Sequence, residues 1–283
     1  MKRLRDRASQ LFQKPKSPAR GDVNPEFPEG FTYLQLLGQL EHRTQRLTSK
    51  FIPRAGKMAP RTYAAIGTAL SLMERAATCY WGCADGDHVI EFLVGRASNS
   101  GRAAVRLMEM GYYDEALGSV RTAGEIANLL WLFLNDPPAE SQWKTASAGE
   151  RRRTFGPAGV RSRLKGMGQI VPVDTELYGE LSELVVHAQP ETRPQAFNPV
   201  HRAVLAGHLQ EAGVFIVLNE LAKALPYVVV SCPKLVPMPD TMSPRFLDAA
   251  LELVHSTGAF ELKGWLDLRR TGRGGPGPPD STE

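Results

Sequence analysis

Proline placement limits where this chain can form long helices. None of its 21 prolines lies in the 76 residues from Arg61 to Asp136, and the windows Val200–Leu225 and Arg245–Gly275 are also free of proline. A proline in a helix interior costs roughly 3 kcal/mol, because it removes a backbone donor and clashes with the preceding turn. Long helices are therefore expected in these three windows. Residues 1–30 are basic and broken by prolines and 269–283 are rich in glycine and proline, so both ends are predicted to be disordered tails.

Apolar residues recur at helical spacing between the two tails. The pattern predicts helices at about 31–50, 60–83, 89–110, 113–134, 139–153, 174–186, 200–225 and 244–267. A glycine-rich connector is expected after 153, and the strand-like run YVVVS at 227–231 is interpreted as a frayed helix end or a buried loop. The fold class is therefore all-α, a single domain over 31–268 built as an up-and-down bundle of five or more helices. Ile126–Leu134 is apolar nearly all round and is expected to be its most buried helical segment.

Composition and charge exclude several classes of protein. The chain is 42% apolar and 23% charged, which is typical of a globular protein and not of a disordered one. No apolar run approaches the ~20 residues of a membrane-spanning helix, and the basic N-terminus lacks the apolar stretch of a secretory signal. Three cysteines cannot form a disulfide framework, so a cytoplasmic location is predicted. The net charge of +4 permits an anionic partner.

Sequence motifs for cofactor and metal binding are absent. The chain has no HExxH, no CxxC pair, no glycine-rich phosphate loop and no GxSxG. Cys79 and Cys83 have helical spacing, but His88 is the only histidine nearby, which makes a poor tetrahedral ligand set. We therefore expect buried, unliganded cysteines, with neither a metal nor a cofactor.

Two predicted helices carry polar residues at helical spacing on otherwise apolar sequence. Arg121, Glu125 and Asn128 form one stripe, and Tyr178 and Ser182 share a face of a later helix. Since unpaired buried charges are costly, Arg121 and Glu125 are expected to pair in the interior and to be reached by Tyr178 or Ser182. This predicts a polar pocket within the bundle. The structural alternative is an Arg–Glu pair that fixes helix register.

Histidines and a basic segment supply the other candidates. His187 ends the predicted helix 174–186, where the helix dipole alone could account for it, and Arg202 and His208 lie on the predicted helix 200–225. Six basic residues of one segment are candidates for binding nucleic acid: Arg151, Arg152, Arg153, Arg161, Arg163 and Lys165. A solvated loop or helix face is the structural alternative for both sets.

The runs GYYDEALGSVRTAGEIANLLWLFLND at 111–136 and LYGELSELVVHA at 177–188 resemble the HEPN-like helical superfamily, in its branch of abortive-infection-like proteins and bacterial domains of unknown function. The resemblance covers roughly residues 60–230 and implies an up-and-down bundle of four to five helices, often dimeric. The matching positions are an Arg-x3-Glu element, Arg121 and Glu125, and a later Tyr-x3-Ser…His element, Tyr178, Ser182 and His187.

Many proteins of that superfamily are metal-independent ribonucleases with an Arg-x4–6-His signature, in which arginine stabilises phosphorane charge and histidine transfers protons. His187 has no arginine at that spacing before it, whereas Arg202 and His208 satisfy the spacing. The resemblance thus implies a prokaryotic defence or toxin-type ribonuclease acting through Arg202 and His208, or through His187 and a distant arginine. The alternative is a non-catalytic bundle that binds a partner protein, a nucleotide or RNA. Expected partners are RNA, an antitoxin or other protein, and a second copy of the chain.

Overall fold

The computed structural model describes residues 29–82, 86–185 and 207–257 of the chain. In these ranges it has ten α-helices, two short 3-10 helices and no strand, so the predicted all-α class is confirmed. The α-helices are α1 Gly30–Phe51, α2 Met58–Ala77, α3 Val89–Met110, α4 Tyr113–Asn135, α5 Pro138–Thr145, α6 Ala148–Thr154, α7 Pro157–Gly166, α8 Thr175–Val185, α9 Glu211–Leu235 and α10 Ser243–Thr257. The predicted tails lie outside these ranges, except for Glu29 and Gly30 at the start of α1.

Helices α4 and α9 form the centre of the bundle. The burial predicted for α4 is confirmed, because Leu130 is fully buried and Trp131 is 1% exposed. The prediction that Ile126–Leu134 is the most buried segment is wrong, since the nine consecutive residues 224–232 of α9 are buried as completely. Helices α3, α4 and α9 pack against one another, and α2 and α10 pack against α9 and against each other. Gly111 ends α3 in the left-handed conformation with φ 89°, which glycine adopts without strain.

Helix α9 differs most from its prediction. It begins at Glu211 rather than 200 and continues through Pro226 and Pro233, so the interpretation of YVVVS as a helix end or loop is wrong. Burying each valine of that run contributes roughly 1.5–3 kcal/mol, and several such residues outweigh the ~3 kcal/mol cost of one internal proline.

The same helix is long and apolar enough to cross a membrane, the single such case among the described helices. Its most apolar window has a mean hydropathy of 1.6, but 78% of that window is buried within the protein. This burial is characteristic of the core helix of a bundle, and it provides no clear evidence of a membrane span.

The segment between α4 and α8 is more helical than the sequence indicated. One helix at 139–153 and a connector were predicted, whereas three short helices occur, α5, α6 and α7. Ser147 and Glu150 form a capping box that starts α6, and Pro157 occupies the first turn of α7. A Cβ on Gly156 would lie 2.3 Å from the carbonyl oxygen of Arg152, so this tight turn between α6 and α7 requires glycine.

Helix α1 occurs where it was predicted, but much of its apolar face is not buried. Leu36 and Leu47 belong to the apolar repeat that predicts this helix, yet they are 41% and 43% exposed. The residues of α1 that are buried are Thr44 and Thr48, whose hydroxyls donate to the backbone oxygens of Gly207 and Glu109. Helix α1 is therefore attached to the bundle partly through polar contacts.

Candidate anion-binding site

The site is built on a close contact between α4 and the residue that precedes α8 by two positions, Val173. The Asn128 side chain donates to the Val173 carbonyl and accepts from the Val173 N–H, both at 2.9 Å. A Cβ on Gly124, one turn earlier, would lie 2.5 Å from Cγ2 of Val173, so the approach requires glycine. Asn128 is 2% exposed, in agreement with the predicted polar stripe on α4. Its amide fixes the position of the backbone that leads into α8.

Helix α8 then brings one tyrosine onto α4. Its first turn is capped by the Asp174 carboxylate, which accepts from the N–H of Leu177 at 2.9 Å. Tyr178 follows, and its hydroxyl accepts a hydrogen bond from Nη2 of Arg121. The Ser182 hydroxyl donates instead to the carbonyl of Tyr178 in its own helix, at 2.6 Å. Of the two residues expected to reach the α4 stripe, Tyr178 does so.

Arg121 and Glu125 form the predicted pair, with Nη2 of Arg121 3.1 Å from Oε1 of Glu125. Their side chains are 20% and 32% exposed, so the pair is only partly buried and the expectation of an interior pair is wrong. The pair lies at the edge of the bundle, where water still solvates part of both groups. Its attraction is correspondingly weaker than that of a fully buried pair.

Arg161 of α7 completes the arrangement. Its guanidinium carbon lies 4.2 Å from the centroid of the Tyr178 ring, and that of Arg121 lies 4.5 Å from the same centroid. We call Arg121, Glu125, Arg161 and Tyr178 the arginine–tyrosine cluster. It holds two positive charges against one negative charge, which leaves an excess of one positive charge.

Arg161 is unusual for its burial. Only 7% of the residue is exposed, and its Nε and Nη1 atoms have no hydrogen-bond partner among the described residues. The Nε of Arg121 is buried without a partner in the same sense. Buried N–H groups of a charged side chain are costly unless they are paired. The cluster is therefore suited to an acceptor that carries negative charge.

The remaining basic candidates lie on helices. The sequence predicted a connector between 153 and 174, which is wrong for the residues that form α7. Arg151, Arg152 and Arg153 on α6 are exposed, as is Lys165 on α7. Arg163 is already paired, because its Nε lies 2.7 Å from Oδ2 of Asp136 and its Nη1 lies 3.0 Å from Oε1 of Gln142. Arg163 thus fixes α7 to the end of α4.

The candidate catalytic residues are described only in part. His208 is exposed and precedes α9, so its predicted place inside a helix is wrong. Its backbone carbonyl accepts from the Tyr113 hydroxyl at 3.3 Å, while Gln210 N–H donates to that hydroxyl at 2.9 Å. Arg202 and His187 lie outside the described residues.

A separate open cleft of about 670 Å³ lies between α3 and α4 and contains none of the predicted site residues. Its charged lining residues are Glu91, Arg96 and Glu115. Opposite charges line this cleft, so it has no net preference for an anion.

Comparisons of this chain with protein-family models, with curated proteins and with solved structures return no match. The helical bundle is thus established by the structure itself. The HEPN-like resemblance stays a prediction that rests on the quoted motifs.

Proposed function

We propose that this protein is a helical bundle that binds RNA, with a phosphate group held at the arginine–tyrosine cluster. The observation that carries the proposal is Arg161, a nearly buried guanidinium with two donor nitrogens, Nε and Nη1, that have no acceptor among the described residues. A guanidinium presents its donors in a planar fork that matches phosphate oxygens, and charge-assisted bonds of this kind are roughly twice as strong as neutral ones.

The packing around Arg161 supports the same function. Tyr178 lies against both guanidinium groups and accepts from Arg121, so the donors are held before a ligand arrives. Groups that are already ordered lose less conformational entropy on binding. The Asn128 contact with Val173 fixes the position of α8 and therefore of Tyr178.

The exposed residues Arg151, Arg152 and Arg153 favour RNA over a single small anion. They lie on α6, which packs against α7, the helix of Arg161. A chain of phosphates can contact the cluster and this basic helix together, and each neutralised phosphate adds salt-dependent affinity.

Fluorescence anisotropy with a labelled single-stranded RNA tests the proposal on the full-length protein. Arg161→Gln is expected to weaken binding at least about tenfold and to reduce the salt slope by about 0.7, the value for one phosphate contact in a single strand. Arg102→Gln is the matched control, because Arg102 is 55% exposed on α3 and its loss changes net charge equally. That control should bind within about twofold of wild type.

Thermal unfolding of both variants separates a binding defect from a folding defect, and Arg161→Lys retains the charge without the planar fork. Equal RNA affinity and salt slope for wild type and Arg161→Gln would overturn the proposal. A nucleoside triphosphate is titrated in parallel. Its displacement of RNA from the wild-type protein at a lower concentration than competing RNA would reassign the site to nucleotides.

The ribonuclease prediction is tested on the same samples. Catalysis at the 2′-hydroxyl would cut RNA in excess chelator, leave single-stranded DNA intact and produce 2′,3′-cyclic ends. His208→Ala or His187→Ala would then remove about two decades of rate with little change in melting temperature. Intact RNA after prolonged incubation restricts the proposed function to binding.

A further inference from the structure

Three different metal-binding side chains meet at the junction of α2 and α3, and none of them belongs to the arginine–tyrosine cluster. Cys79 lies two residues beyond α2, His88 directly precedes α3, and Glu91 lies in the first turn of α3. Cys79 Sγ is 3.5 Å from His88 Nδ1, and His88 Nδ1 is 3.9 Å from Glu91 Oε1. All three donor atoms lie within 4.8 Å of one another.

These separations are close to those of ligands that share one tetrahedral metal ion. With zinc bonds of about 2.3 Å to sulfur and about 2.0–2.2 Å to nitrogen and oxygen, neighbouring ligand atoms lie about 3.3–3.6 Å apart. The distance between the Cys79 sulfur and the His88 nitrogen already falls in this range. Glu91 Oε1, at 3.9 Å from the His88 nitrogen, lies about 0.3–0.6 Å beyond this range, so its side chain moves toward the other two when a metal ion binds.

The backbone places two of these side chains at a conformational cost. Cys79 and His88, with φ of 52° and 51°, are the non-glycine residues of positive φ in the described part of the chain. The left-handed region is uncommon for residues with a Cβ, and such residues concentrate at functional sites. Here two of them orient side chains toward one point from opposite ends of the same loop.

Charge and burial favour a cation at that point. Glu91 is 8% exposed, and its carboxylate faces the His88 ring. A buried carboxylate beside a thiol is costly to desolvate, and a divalent cation that binds the carboxylate and the thiolate balances both charges. A donor set of one sulfur, one nitrogen and one oxygen suits zinc and excludes the hard cations Mg²⁺ and Ca²⁺.

We propose that Cys79, His88 and Glu91 bind a divalent zinc-class ion. Binding releases the thiol proton of Cys79 to solvent, so one Zn²⁺ enters, one H⁺ leaves and a Zn–S bond forms. The ion joins the end of α2 to the start of α3 through three protein ligands, a number that leaves a fourth coordination position. Because the site shares no residue with the arginine–tyrosine cluster, failure of either proposal leaves the other standing.

Cobalt titration of the reduced full-length protein tests this site, because Co²⁺ replaces zinc and reports thiolate ligation by a charge-transfer absorption band. The protein is first treated with a chelator and exchanged into metal-free buffer. We expect one equivalent of Co²⁺ to give the thiolate band, and Zn²⁺ to abolish it by displacement. Cys79→Ser should abolish the band, while His88→Gln and Glu91→Gln should each weaken Co²⁺ binding at least tenfold.

His255→Gln serves as the control, because this exposed histidine lies on α10 and should not alter the titration. Circular dichroism of each variant shows whether it has folded, and Glu91→Gln preserves side-chain volume if Cys79→Ser does not fold. The absence of a thiolate band in the wild type would overturn the proposal. An unchanged band in Cys79→Ser would also overturn it, because another cysteine would then be the ligand.

Discussion

At the scale of single residues, Asn128 uses both ends of its amide on the backbone of Val173. Asn128→Ala removes both hydrogen bonds and leaves the N–H and the carbonyl of Val173 unpaired beside α4. Each buried polar group left unpaired costs roughly 1–3 kcal/mol, so a loss of about 2–4 kcal/mol in the free energy of unfolding is expected. Urea denaturation measures this loss, and Asn99→Ala, at an exposed position of α3, should stay close to wild type.

Glu125 and Glu109 provide a matched comparison of two carboxylates. Glu109 is 3% exposed and accepts from Tyr63 at 2.5 Å and from Arg106 at 2.7 Å, whereas the Glu125 side chain is 32% exposed. Glu109→Ala leaves a buried network unsatisfied and should cost about 3 kcal/mol, while Glu125→Ala should cost about 1 kcal/mol or less. Equal losses in urea denaturation would show that the Arg121–Glu125 pair is effectively buried.

Residues close in sequence were predictable and residues joined by folding were not. Arg121, Glu125 and Tyr178 were identified because i, i+4 spacing fixes which side chains share a helix face. The stacking of Arg161 on Tyr178 joins two helices, and no periodicity encodes it. The Cys79–His88–Glu91 group matches no cysteine–histidine spacing motif, because its third donor is a carboxylate on the next helix.

At the scale of elements, the stability of α6 depends more on its N-terminal cap than on packing against other helices. None of its residues is buried, and Ser147 accepts from the Glu150 N–H while the Glu150 carboxylate accepts from the Ser147 N–H. The Ser147 hydroxyl, which donates to the Glu150 carboxylate at 2.7 Å, and the Ser147 N–H together lower the pKa of Glu150. Helices without tertiary packing are marginal in water, so the cap decides whether α6 forms.

Ser147→Ala should therefore unfold α6 locally and leave the bundle intact. The lost cap is worth about 1 kcal/mol, which corresponds to roughly fivefold faster amide exchange in α6. Hydrogen exchange with mass spectrometry measures it, and Ser141→Ala at an exposed position of α5 is the control. Unchanged exchange in α6 would mean that packing against α7 holds the helix without its cap.

Helix boundaries set by local sequence signals were predictable, and boundaries set by packing in the core were not. Helices α3 and α4 were predicted closely because Gly111 and the prolines after Asn135 are local stop signals. Helix α9 was not, because local propensity ends it before Pro226, and the burial of Val228, Val229 and Val230 that carries it onward is a property of the whole core.

At the scale of the whole molecule, buried titratable groups limit stability at alkaline pH. Burial raises the pKa of Cys232 from 9.0 to about 12 and that of Tyr113 from 10.0 to about 12. Both folded-state pKa values exceed the unfolded ones, so the native state keeps these protons longer. Their contribution is complete below pH 9 and is lost as the pH rises from about 9 toward 12.

Each such group makes the free energy of unfolding fall by up to about 1.4 kcal/mol per pH unit within its window. Cys232→Ala removes one of them and should flatten the decline between pH 9.5 and pH 11, even though the truncation lowers stability at pH 8. Urea denaturation across this range measures the slope. Parallel slopes for wild type and variant would mean that the thiol ionises equally easily in the folded state.

Because Gly124 and Val173 are in direct contact, a larger side chain at one position requires a smaller one at the other. Gly124→Ala places a methyl group into the space of a Val173 methyl and is expected to destabilise the protein by about 1–3 kcal/mol. Val173→Ala frees that space and retains the hydrogen bonds to Asn128, which use only the backbone of residue 173. The double variant should therefore be more stable than the sum of the single losses allows. Over evolutionary time, positions 124 and 173 should change as a pair, a gain in size at one accompanying a reduction at the other.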